Sequence, residues 1–296
     1  MNNVTELKNL LNQLIVKRNL NDSNKMVVNA FVKQLGMATM WYDSEYNDGM
    51  EMLEILLDDS NLMDGSKFNE NFSMNVLDMV PEKLKNNNTF KNVIEELTKV
   101  KGKGVGVGEM VMTLLVKGWE YSSNDSDGIC DGDPREIKNA QGSCLKPVLA
   151  GLTDKGMVDR LNKEYWNGGV PAGAKGKHDS FLKVLKQDPS KFIGYVTALY
   201  PNANVQDLHN QIVANIDNLD RKRFDAIHGL WVLNEYKKID GWKSLVLVHP
   251  DTLNVTNIAK IDESVITKHG VRFSAIMSRG KDSNAVPDGY SKISTK

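Results

Sequence analysis

Residues 125–138 read DSDGICDGDPREIK, and the reading of this stretch decides the fold. Asp127 opens one short strand, Glu136 and Lys138 lie on the next, and a turn through Asp131 to Pro134 joins them, so the two strands pair as a hairpin. Side chains on a strand alternate between faces; Glu136 and Lys138 therefore project to one side of the sheet and Ile137 to the other, into a core. Asp127 precedes Glu136 by nine residues, a separation that a tight hairpin converts into adjacency. Two carboxylates and a lysine gathered in this way are what phosphodiester hydrolysis requires: oxygen ligands for a hard divalent cation, an oriented water, and positive charge near the phosphate.

Upstream, KGKGVGVG (101–108) has glycine at 102, 104, 106 and 108, which no stable helix interior tolerates, and it marks a boundary or a functional loop. EMVMTLLVKGWEY (109–121) reads as a helix with Glu109 at its start. The first hundred residues read as helices over 4–18, 23–41, 49–57 and 89–100, the last with Val93, Leu97 and Val100 on one side. The expected division is a helical domain or extension over 1–100 and a catalytic domain over 101–296.

Downstream, WNGGVPAGAKGKH (166–178) is a glycine- and proline-rich loop with the make-up of a lid. A helical pattern over 205–238, in two pieces, leads into SLVLV (244–248), a buried-strand run, and VRFSAIM (271–277) reads as a second late strand.

Asp127 followed by Glu136-Ile137-Lys138 resembles the PD-(D/E)xK nuclease superfamily, whose core is a helix, a three-stranded meander, a helix and a further strand. The resemblance implies an α/β, restriction-endonuclease-like core, a mixed central sheet flanked by helices, behind an N-terminal helical region. It implies a Mg2+-dependent deoxyribonuclease, with Mn2+ as a substitute ion. Asp127 and Glu136 would hold the metal with the Ile137 carbonyl; Lys138 would orient the attacking water; Glu109, matching a glutamate on the helix before the first strand, would bind a second metal or a metal-bound water. Independently of the resemblance, Lys103 in the glycine-rich segment and Gln141, Ser143 and Lys146 just after the strand are candidates to reach DNA, and a plain turn explains Gln141 and Ser143 equally well. The family's proline-aspartate start to the second strand is absent, since Asp127 follows Ser126, and this leaves Asp131 or Asp133 open as the partner of Glu136. The glycine-rich lead, the Asp127-Gly128 pair and EIK followed by Gly142 are also similar to nuclease-like proteins of tailed phages. That similarity implies virion or assembly proteins as further partners.

Lys+Arg 37 against Asp+Glu 38 gives a net charge of −1, so no global positive field holds a nucleic acid and any contact must use a local patch. Two cysteines, Cys130 and Cys144, are too few for a disulfide framework; they read as buried thiols in a reducing compartment. The start shows helical spacing with lysines rather than a signal peptide, and no apolar run approaches the roughly 18 residues of a membrane span, so a cytoplasmic or virion location without membrane partners is expected.

Competing readings are weaker. Twelve residues from Asp125 end on Glu136, as a calcium loop would, but position six is Cys130 where glycine is needed. KGKGVGVG follows a helix and lacks the lysine-serine/threonine of a phosphate loop. The basic segments 155–163, 175–178 and Arg221–Arg223 read as solvated faces, His228 and His249 as structural histidines, Trp231 and Tyr236 as core. Two other functions stay open: a phage structural or assembly protein that keeps a nuclease fold, and a restriction-type enzyme, although no helix-turn-helix or zinc motif is present. Oligomeric state is not legible.

Overall fold

The computed structural model describes residues 2–20, 27–30, 32–33, 43–99, 106–122, 127–145, 164–165, 178–276 and 290–295. Lys103, Lys146, most of the second expected helix, the glycine-rich loop and the basic segment 155–163 lie outside these. In chain order the elements are α1 (Asn2–Lys17), α2 (Asp43–Leu57), β1 (Met63–Asp64), β2 (Phe72–Asn75), α3 (Glu82–Asn86), α4 (Asn88–Lys99), α5 (Val107–Leu115), β3 (Val116–Lys117), β4 (Trp119–Tyr121), β5 (Gly128–Cys130), β6 (Asp133–Asn139) and β7 (Gln141–Leu145). There follow α6 (His178–Gln187), α7 (Pro189–Leu199), α8 (Val205–Ala214), α9 (Arg221–Asp240), β8 (Ser244–Val248), β9 (Asn254–Ile258), α10 (Ser264–Thr267), β10 (Arg272–Ile276) and β11 (Tyr290–Ser294).

The protein is α/β, built on a mixed six-stranded sheet of order β2-β9-β8-β6-β5-β4. β4, β5 and β6 form an antiparallel meander, β8 lies parallel to β6, and β9 and β2 continue antiparallel. The turn between β5 and β6 is tighter than the sequence suggests. Only Asp131 and Gly132 are unpaired, both with positive φ (52° and 80°), which the Asp-Gly pair supplies at low strain.

The chain divides into two compact units, Met1–Ala140 with Trp242–Lys260, and Gln141–Gly241 with Ile261–Lys296. This cut differs from the 1–100 and 101–296 division expected from sequence, and the reason is burial. Leu11, Leu14, Leu53, Leu56, Phe90, Val93 and Leu97 share one core with Ile137, Val246 and Val255 of the sheet. Strand β2, from the first hundred residues, is itself an outer member of that sheet; it pairs with β9 and joins it through a Ser73–Thr256 hydroxyl contact of 3.1 Å. Residues 1–100 are part of the sheet's own domain.

The helix expected over 109–121 stops at Leu115, where Val116–Lys117 and Trp119–Tyr121 become strands. Gly118, at φ 72°, breaks the helical path. At the described end of the glycine-rich segment, Gly106 is the N-cap of α5 and Gly108 lies in its first turn.

The second unit holds β7, which pairs with β11, itself paired to β10, and helices α6 to α10. Phe192, Phe224, Trp231 and Tyr236 are buried there, and the His228 ring stacks on Phe224 at 5.6 Å. Arg221 bonds Asp225 and the Ala275 carbonyl, and Arg223 pairs with Glu263. These arginines thus serve the fold of their own unit.

Candidate active site

The β5–β6 hairpin does what its spacing demands. Gly128 faces Arg135, which carries the register onward to Asp127 opposite Glu136. The Asp127 Oδ2 atom accepts the Ile137 backbone N–H at 2.8 Å, clasping the mouth of the hairpin. On the next position of the same face as Glu136, the Lys138 ammonium donates to Glu136 Oε1 and stands 3.8 Å from Asp127 Oδ2. Glu136 is nearly enclosed, its side chain 6% exposed, whereas Asp127 and Lys138 keep about a third and a quarter of theirs (32% and 26%).

Asp131 and Asp133, the alternatives to Asp127, lie elsewhere. The Asp131 carboxylate rests against Gly65 and Gly118, and Asp133 pairs with Arg135 at 3.6 Å. Arg135 was not singled out by sequence, although a charged residue in alternation with Ile137 on the core face is a legible signal. It is fully buried and donates to the Phe68 carbonyl (3.1 Å), Ser244 Oγ (3.1 Å) and Asn69 Oδ1 (3.0 Å), which fixes β6 from behind. Burial holds its guanidinium below the ordinary range, with Cys130 and the aspartates opposing.

Glu109 approaches from α5. Gly108 permits this: a Cβ there would stand 2.5 Å from Ile137 Cγ2 and 3.0 Å from Val248 Cγ2, so the first turn of the helix lies directly on β6 and β8. The Glu109 carboxylate folds back over Gly106, the N-cap, as the third-position member of a capping box does. Burial raises its pKa above the ordinary carboxylate range; backbone N–H groups of Glu109 and Gly106 oppose, the Asp127 charge adds, and the Lys138 charge opposes. Glu109 thus senses both Asp127 and Lys138 while capping its own helix.

Cys130 is buried, and burial followed by the Asp131 charge pushes its thiol up to about 12, so it is no nucleophile at neutral pH. Cys144, expected buried, is half-buried on β7. Gln141 and Ser143 are strand residues paired with Ser294 and Ile293 in the second unit's sheet, not a turn after β6. His249 accepts the Thr252 N–H at 3.3 Å within a turn.

Oxygen ligands suit Mg2+, which is commonly held by only one or two carboxylates together with waters and substrate phosphate. Asp127 and Glu136 would be such a pair of carboxylates, and the Lys138 ammonium lies against both. Among the described residues no three His, Cys, Asp or Glu side chains converge on one point. No helix among them is long and apolar enough to cross a membrane. No protein-family model matches the chain, and no curated protein or solved structure matches it.

Proposed function

We propose that this chain is a Mg2+-dependent deoxyribonuclease with a restriction-endonuclease-like core. The observation that carries the reading is the meeting of Asp127 and Glu136 on one cationic group, the ammonium of Lys138, at the mouth of a β-hairpin. The element order supports it in part: α5, the meander β4-β5-β6 and, later, β8 parallel to β6 follow the order the PD-(D/E)xK resemblance implies, with β3 inserted before the meander and β7 and the helices of the second unit inserted after it.

In this reading Asp127 and Glu136 hold the metal, joined by the Ile137 carbonyl, and Glu109 serves a second ion or its water. When bound, Mg2+ supplies Lewis-acid polarisation of the scissile phosphate. Lys138 orients the water that adds to phosphorus and stabilises the charge that builds on the phosphate oxygens as the P–O ester bond breaks. Asp127 keeps its orientation through the Ile137 N–H. Substrate DNA reaches the site along a local surface, since the chain offers no net positive charge.

The test is cleavage of plasmid and linear DNA by wild type, Glu136→Ala and Lys138→Ala, with Mg2+, Mn2+ or chelator. Loss of about 100-fold or more in both variants is expected, in line with removal of a group that stabilises transition-state charge. Undiminished cutting by the variants would exclude this site. A folded wild type that cuts nothing, but copurifies with phage particles, would favour the assembly role.

A further inference from the structure

Glu136 lies almost wholly out of solvent, and a carboxylate so placed requires a counterion. The structure supplies one from two residues along the same strand. The Lys138 ammonium donates to Glu136 and sits 3.8 Å from Asp127 Oδ2, while that same Asp127 oxygen is tied to the Ile137 N–H at 2.8 Å. The lysine therefore occupies the point on which both carboxylates bear, and the backbone clasp keeps Asp127 from turning away to make a second cation place. A divalent ion and an ammonium crowded into that space repel each other strongly in a partly buried site.

We propose that Lys138 is the resident counterion of the Asp127–Glu136 pair and that a divalent cation binds by displacing its ammonium. This rests on the nuclease reading above and adds an order of events to it. Release from the carboxylates is what frees the lysine for the phosphate, so metal entry and readiness of the cationic group are one step. Before metal arrives, the lysine offsets one of the two carboxylate charges and is itself held against them, away from a phosphate.

Calorimetric titration with Mn2+ at fixed pH and salt tests this on the full chain, using wild type, Lys138→Met, Lys138→Arg and Glu136→Gln. Lys138→Met, isosteric and neutral, should bind Mn2+ about tenfold more tightly or better, the scale of one lost charge-assisted hydrogen bond. Lys138→Arg, which keeps the charge, should show no such gain, and Glu136→Gln should bind least. An independent reading comes from 15N-lysine spectra of the wild type, with Lys138→Arg assigning the signal: Mg2+ should shift the Lys138 ammonium resonance or broaden it by faster exchange. One Mn2+ bound by wild type with equal or weaker binding by folded Lys138→Met, or an unmoved ammonium signal under saturating Mg2+, would overturn the displacement and leave the nuclease reading intact. Absence of Mn2+ binding in both wild type and Lys138→Met would overturn both.

Discussion

Strands β6 and β8 lie side by side in parallel, with Glu136 facing Leu245, Ile137 facing Val246 and Lys138 facing Leu247, and yet they are made of opposite materials. β8, SLVLV, is buried at every position. β6, DPREIKN, puts three charged side chains at 135, 136 and 138 into the middle of the same sheet. The ladder geometry is shared, so the difference lies in what each strand contributes. Enclosing a leucine side chain is worth roughly 1.5–3 kcal/mol, whereas enclosing a charge costs unless it is paired and hydrogen-bonded. Every charge on β6 has partners, Arg135 behind the sheet and Glu136 with Lys138 in front. A strand so demanding to satisfy next to one so apolar divides the work of the sheet: β8 contributes burial, and β6 holds the paired charges.

The largest expected effect tests the β8 half. Leu247→Ala should lose about 3–5 kcal/mol in urea titration, the usual cost of a leucine truncated in a closed core. A loss under about 1 kcal/mol would mean that the apolar strand is not what holds the sheet. Gly108→Ala acts on both strands at once, because the added methyl meets Ile137 and Val248; about 1–3 kcal/mol should be lost by overpacking. An unchanged midpoint would show that α5 can lift off the sheet at no cost, which would sever Glu109 from the site.

The smallest effect concerns pH. The folded pKa of Glu109 is raised, chiefly by burial. Between the unfolded and folded values the native state holds the extra proton, so stability falls as pH rises through that window. Glu109→Gln should therefore stabilise the protein at pH 7, on the order of 1 kcal/mol, and the advantage should vanish below about pH 4, where the unfolded carboxyl is protonated as well. Thermal melts of the two proteins across this range check the sign; a variant less stable at pH 7 would show that the capping bonds outweigh burial.

The hairpin was legible because its information is local: an Asp-Gly turn, alternation through Glu136, Ile137 and Lys138, and a fixed spacing back to Asp127. SLVLV was legible for a similar reason, as an apolar run too short for a helix. β2 and β9 escaped notice because FSMN and NVTNI are short and polar, and their pairing is decided across some 180 residues of chain by contacts such as Ser73 with Thr256. The apolar stripe of α4 announces a buried face but not what buries it, and so the first hundred residues looked separable from a sheet they help to cover. The placement of Asp127, Asp131 and Asp133 was not legible, since all three are near Glu136 in sequence: Asp131 sits in the positive-φ turn, Asp133 pairs with Arg135, and Asp127 lies beside the Lys138 ammonium.

The first unit is interrupted: it runs to Ala140 and resumes at Trp242. During synthesis β6 leaves the ribosome long before the strand that will lie against its far side. At about 5–20 residues per second, the backbone edge of β6 meant for β8 waits roughly 5–20 s before Val248 is made. An unpaired central edge bearing a buried arginine is a poor template for a stray strand, because any newcomer must also accommodate those charges. The charges of β6 thus guard its edge on the nascent chain in the interval before β8 arrives.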